Sequence, residues 1–275
     1  MNKTVSIALS LLLLFGAAAS GQDQDYIRFR EGPTEQDGAL QIAVETYTRN
    51  GVTLDLYGVV HMADEAYYQE IQRDLDQYDV VLYEGIKQGD TPNQETVGLN
   101  AVQAGMARLL GLQFQKEGID YTRPNLVHAD MDASTLEDSL DGESISPLGG
   151  IISPDLLEQL EPVLRIAGDL LDQYLEFNPE IRTTFKLQFA QQMAGTDVED
   201  QLTPQMRQAI IIDRNQIVMD VLAEQERTTN NRTYAIFYGA GHNADFRQRL
   251  EDEGWTRGSK RWMTAWSIGQ GASNR

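Results

Sequence analysis

Apolar positions along this chain switch period, from two to between three and four and back, and the switches mark its elements. Leu40 to Thr48 and Val52 to Val60 alternate around Arg49-Asn50-Gly51, and Asn-Gly between alternating runs predicts a β-hairpin. From Ala63 to Tyr78 the apolar residues Ala66, Tyr67, Ile71, Leu75 and Tyr78 fall at helical spacing, with Asp64 near the start as a helix N-terminal carboxylate. Asp79 to Tyr83 (DVVLY) reads as a short buried strand. Strand, helix and strand within about 30 residues form a βαβ unit with a right-handed crossover. Its parallel strands then bring the residues that follow them, His61 and Glu84, to one edge of a sheet.

Gln88 to Gly118 contains several glycines and a helical patch, Val102 to Leu112, suited to lying over that edge. Asn125 to Ala129 is another short strand. Residues 134–226 lack strand patterns, and helices start at Ser134, Ser153-Pro154, Asn178-Pro179 and Thr203-Pro204, most with Pro in the first turn. The longest of them, Pro204 to Glu226, holds Asp213-Arg214-Asn215 inside an apolar stretch, and a charged triplet there needs partners. Thr233 to Tyr238 is a strand, Asn243 to Glu253 a helix stopped by Gly254, and Arg261 to Ile268 a closing aromatic strand. The expectation is one α/β domain over residues 39–268: a small mixed, mainly parallel sheet with a helical insertion, about 134–226, between sheet strands. Residues 21–38 are polar and turn-rich and are expected to be loosely held, as is the tail 269–275.

Composition narrows the setting. Residues 1–20 have a secretory layout: Lys3, an apolar run from Val5 to Phe15, then Ala17-Ala18-Ala19-Ser20. The run is shorter than the 20 or so residues a permanent anchor needs, so the expectation is export to a periplasmic or extracellular space with no stable membrane insertion. The chain has no Cys, which removes disulfides and thiol catalysis, and any metal must be held by N and O ligands. A net charge of −20 disfavours nucleic-acid partners and is the charge of a soluble surface.

The candidate chemistry lies in a repeat. Gly58-Val59-Val60-His61-Met62-Ala63-Asp64 returns 181 residues later as Gly239-Ala240-Gly241-His242-Asn243-Ala244-Asp245, both G-x-x-H-x-A-D. Each copy ends a strand pattern and opens a helical one, which is where open α/β sheets bind ligands. The glycines, with Gly85, let backbone approach a ligand or simply allow tight turns. His61, His242 and Glu84 together make an N,N,O set suited to Zn²⁺, Mn²⁺, Fe²⁺ or Co²⁺, and the residues do not choose among these. At the third strand end Asp130 is a further candidate ligand, while His128, within its strand, reads as structural. Arg214 is either an ion-pair partner of Asp213 or a neighbouring helix, or the fork that orients Glu84 or holds a substrate carbonyl. Asp64 and Asp245 read as helix N-terminal carboxylates.

Two G-x-x-H motifs, a strand-terminal Glu one βαβ unit after the first, and Arg214-Asn215 on a helix before the second resemble the TraB/PrgY/TIKI family, grouped with the erythromycin-esterase and ChaN-like proteins. The likeness runs from about Leu54 to Trp266, and Gly239-Ala240-Gly241-His242 with the later Gly254-Trp255 looks most like the family's second motif. It implies an α/β sheet with inserted helices and, for the TIKI branch, a divalent-metal peptidase using His61, His242 and Glu84, with Arg214 and Asn215 positioning them. Erythromycin-esterase relatives are instead proposed to use a metal-free histidine base. The expected activity is that of an exported, metal-dependent hydrolase, metallopeptidase-like, acting on a peptide or other amide or ester substrate. The rivals are a metal-free hydrolase with His61 as base beside Glu84, and a non-enzymatic binder of a peptide signal or metal chelate.

Overall fold

The structure is a computed structural model and describes residues 25–85, 107–140, 173–195 and 202–269, apart from Arg108 and Glu176. The expected signal segment, the helix start at Ser153 and nearly all of the tail lie outside these residues, as does most of the Val102 to Leu112 patch.

The hairpin forms as its Asn-Gly turn requires. β2 (Gly38–Arg49) and β3 (Val52–Val59) pair antiparallel with Arg49 opposite Val52. Asn50 and Gly51 both have positive φ, 51° and 77°, the backbone of the two-residue turn that matches strand twist. The crossover helix α1 (Glu65–Leu75) buries Tyr67, Tyr68, Ile71 and Leu75 and leads to β5 (Val80–Tyr83). The two strands of this βαβ unit are not neighbours. β8 (Thr233–Gly239) lies between them, parallel to both, and β7 (Leu126–His128) pairs parallel on the far side of β5.

The sheet is therefore mixed, with a parallel part β3-β8-β5-β7 and an antiparallel part around β2. β9 (Thr256–Ile268) runs along one edge of β2, while β1 (Ile27–Glu31) and β3 follow one another along the other. β1 departs from the expected loose N-terminal segment. Ile27 is buried, Arg28 bonds Gln41 across the pair, and the Tyr26 ring is covered by the Arg247 and Lys260 cations. The alternating run Ile-Arg-Phe-Arg-Glu has the period of a strand, but it is only five residues long.

Helices cover both faces. α1 and α4 (Pro179–Gly195) pack with Ile42, Tyr57, Ala235, Phe237 and Trp266. α6 (Asp213–Thr228) and α7 (Asn243–Asp252) pack on the other face with Leu54, Leu56, Leu82, Ile236 and Tyr238. The alternation Tyr234, Ile236, Tyr238 against Ala235, Phe237 divides β8 between these two cores, as a central strand demands. The elements described between β7 and β8 are all helical, including α3 (Ala133–Leu140) and α5 (Pro204–Arg207), whose Thr203 hydroxyl caps the Met206 N–H. α5 runs through a π-helical turn, Gln208–Ile212, straight into α6. A two-residue ladder completes the fold: β4 (Met62–Ala63) pairs with β6 (Gln113–Phe114), which continues as the short helix α2 (Gln115–Gly118).

Candidate active site

The strand order decides what meets. β3, β8 and β5 are adjacent and parallel, so their C-terminal ends deliver His61, then Gly239 to His242, then Glu84 along one edge. The extra backbone in the π-helical turn ends one residue before Asp213 and brings Arg214 and Asn215, at the start of α6, beneath that edge.

Arg214 is the hub. Its Nε and Nη2 fork onto Asp130 Oδ1 and Oδ2 at 2.9 and 2.7 Å, and Nη2 also reaches Glu84 Oε1 at 2.7 Å. Arg214 is 4 % exposed, so these are desolvated, charge-assisted bonds. Asp130 also accepts the Gly85 N–H on Oδ2 and the Met131 N–H on Oδ1. Two bonds on each oxygen fill its acceptor capacity, and its side chain is fully buried. Glu84 Oε2 takes the Gly239 N–H at 2.7 Å. Burial pushes the Glu84 carboxyl up, but Arg214, His242, His61 and the Gly239 N–H together outweigh it and hold it well below the usual carboxylate range.

His242 sits on a 3₁₀ turn, Ala240–His242, 5 % exposed against the rings of Tyr238 and Phe246. Its tautomer follows from Asn215. The Asn215 amide nitrogen donates to the His242 carbonyl at 3.1 Å and to Asp245 Oδ2 at 2.8 Å, two groups that only accept. The Asn215 oxygen therefore faces His242 Nδ1 at 2.6 Å, Nδ1 carries the proton, and Nε2 has the lone pair. That lone pair lies 3.9 Å from Glu84 Oε1 and 3.5 Å from Arg214 Nη1. Burial lowers the imidazole's pKa to about 4, with Arg214 adding to the shift and Glu84 opposing it. At neutral pH His242 is an uncharged base whose unprotonated Nε2 accepts a long bond from Arg214 Nη1.

His61 stands at the exposed rim, close enough to His242 and Glu84 to act electrostatically on both, with Nδ1 3.2 Å from Gln115 Oε1. Comparison with family models, curated proteins and solved structures finds no match to this chain. Function is therefore read from this geometry.

The remaining expected residues divide. His128 bonds the Gly85 carbonyl through Nε2 and packs edge-on against Tyr83, which steadies the turn bearing Glu84. Asp64 makes no side-chain cap bond to its helix. It pairs instead with Lys186 of α4 at 2.6 Å and accepts the Ser267 N–H of β9. Asp245 holds Asn215 and pairs with Arg249. Gly58 and Gly239 are needed for close approach, but to the protein's own groups: a Cβ on Gly58 would lie 2.7 Å from Asn243 Nδ2, and one on Gly239 3.2 Å from Glu84 Oε2. A Cβ on Gly85 would meet no atom of the described residues nearer than 3.6 Å, so no such need applies there.

Gln115 and Tyr121 belong to the site and carry no motif in the sequence. A surface cleft of about 370 Å³ between Tyr57, Glu70, Asp74, Gln77, Tyr78 and Arg261 is lined by none of the site residues.

Among the described residues no three His, Asp or Glu side chains stand together as a ready metal shell. Asp130 does not fit a ligand's part, since Arg214 and two backbone N–H groups occupy both its oxygens. His242 Nε2 and Glu84 Oε1, 3.9 Å apart, do fit two ligands of one divalent ion with bonds near 2 Å.

Proposed function

We propose that the chain is a hydrolase of amide or ester bonds whose reacting groups are His242, His61 and Glu84, held by Arg214, Asn215 and Asp130. The observation that carries this reading is a buried, uncharged His242 whose unprotonated Nε2 faces an ionised Glu84. A structural histidine buried among aromatic rings has no need of an anion and a cation trained on its free nitrogen, whereas a base or a ligand does. The reading agrees with the resemblance to the TraB/PrgY/TIKI family, with its inserted helices, and with export to a periplasmic or extracellular space. The described residues include no helix long and apolar enough to cross a membrane.

In the first form of the proposal His61, His242 and Glu84 hold a divalent ion, which would polarise the scissile carbonyl and lower the pKa of a bound water. Asn215 keeps His242 in the tautomer that offers Nε2. Arg214 keeps Glu84 ionised as ligand or base, and Asp130 anchors Arg214. One contact favours a second form without metal: Arg214 Nη1, 3.5 Å from His242 Nε2, already supplies a cation beside Glu84. There a histidine takes the proton of the attacking water and Arg214 faces the developing oxyanion.

The test is turnover of peptide and ester libraries by purified protein, after chelation and after return of Zn²⁺, Mn²⁺, Co²⁺ or Fe²⁺. Activity lost and restored supports the first form, and activity indifferent to chelator supports the second. Binding of library members without any turnover would sink both and leave a binding protein.

A further inference from the structure

The ladder between β4 and β6 sets Met62 opposite Phe114 and Ala63 opposite Gln113. One step further along the same antiparallel register, His61 stands opposite Gln115, and the Gln115 N–H donates to the His61 carbonyl at 2.8 Å. The two side chains meet as well, His61 Nδ1 and Gln115 Oε1 lying 3.2 Å apart. Gln115 is 5 % exposed and its amide nitrogen donates to Tyr121 Oη at 2.9 Å. Tyr121 is itself packed on Tyr83, the residue before Glu84, with ring centres 5.0 Å apart.

Resting on the hydrolase reading above, we infer that Gln115 is a positioning residue for His61: it accepts the Nδ1 proton, fixes the ring and leaves His61 Nε2 bare toward Glu84 and His242. In this arrangement the amide nitrogen donates to the Tyr121 phenol oxygen and Oε1 accepts from the imidazole. His61 then matches His242. Each motif histidine is held at Nδ1 by a side-chain amide from another element, Gln115 from α2 and Asn215 from α6. Which ring nitrogen of a histidine is protonated is set by the bond the other makes, and two unprotonated Nε2 atoms are what either form of the proposed chemistry uses. The exposed rim position explains the need: a histidine without this contact is free to turn and to favour the Nε2–H tautomer that imidazoles adopt in water.

The test is long-range ¹H–¹⁵N correlation spectroscopy of the imidazoles in the full chain, whose three histidines are assigned by His61→Ala. In the wild type His61 is expected as the Nδ1–H tautomer. Gln115→Leu should move it to Nε2–H and cost about ten- to a hundredfold in kcat, with KM little changed, the scale for lost partners of site histidines. Gln115→Glu, which still accepts the proton and keeps the volume, should retain the Nδ1–H tautomer and so guards against a folding defect in the leucine variant. A wild-type His61 found as Nε2–H, or an unchanged tautomer in Gln115→Leu, overturns the inference. So does a tautomer that moves while kcat stays the same. A wild type with the Nδ1–H tautomer that hydrolyses nothing counts against the hydrolase reading alone and supports the Gln115–His61 contact.

Discussion

At the scale of single residues, Arg214 shows why its charge can be flagged from sequence while its partners cannot. An arginine among isoleucines on a helix must be paired, but the choice between Asp213 next to it and carboxylates on other elements depends on the sheet. The structure gives the fork to Asp130 and Glu84, and Asp213 takes a bond from Gln208 instead. Lysine keeps the charge but not the fork, so Arg214→Lys should lose about 3 kcal/mol of stability and most of the activity. Arg247 is no control for this, because its side chain is mostly covered and pairs with the wholly buried Glu45 carboxylate as well as with Asp25. Arg227, 71 % exposed in its side chain and paired at the surface with the exposed Glu224, is, and Arg227→Lys should stay within about 0.5 kcal/mol. Thermal melts of both variants decide, and equal melting temperatures would remove Arg214 from its central place.

His242 carries a second residue-scale prediction, in pH. Its pKa falls from 6.5 to about 4 on folding, so the stability tied to its neutral form is fully present above pH 6.5. Between 6.5 and 4 the unfolded chain binds a proton that the folded chain refuses, and the loss reaches about 3 kcal/mol. His242→Asn should therefore flatten the dependence of melting temperature on pH in that window relative to the wild type. Parallel curves would mean that His242 is not buried and neutral.

At the scale of elements, the hairpin, the crossover helix and the closing strand are legible because turn chemistry and period agree with tertiary position. Asn50-Gly51 has the backbone its dipeptide requires, and Gly254 ends α7 at a φ of 84°. β1 is not legible, because five alternating residues in a polar segment do not announce the cations that cover Tyr26. Asp64 misleads because a carboxylate at a helix start looks the same in sequence whether it bonds that helix or, as here, Lys186 and Ser267. That pair joins α4 to the crossover on the α1 face. Lys186→Met should raise hydrogen exchange in α4 before any change in α6 or α7, which pack on the opposite face. Uniform protection across all three helices would show that α4 is held by its apolar contacts alone.

At the scale of the molecule, the convergence of His61, Glu84 and His242 depends on a strand order that no local pattern contains. The βαβ unit from β3 to β5 suggests two neighbouring strands, yet every parallel bond between them runs through β8, whose Tyr234 pairs with both Leu54 and Val80. Until residues 233–239 arrive, β3 and β5 lack a shared partner. Leu54, Leu56, Val80 and Leu82, all nearly or wholly buried, then have no strand between them to complete the core. Burying such side chains contributes about 1.5–3 kcal/mol each, so the fold before β8 is deprived of the contacts that make it stable. Pairings this distant in sequence also close slowly. Two outcomes are expected: a chain ending at residue 228 should show no cooperative thermal transition, and the whole chain refolded from denaturant should regain turnover in the same kinetic phase as its global signal. Circular dichroism on the fragment and paired fluorescence and activity traces on the whole chain measure these. A fragment with a sharp melting transition, or activity that returns ahead of the global phase, would mean that the site is built before β8 joins β3 to β5, contrary to the strand order.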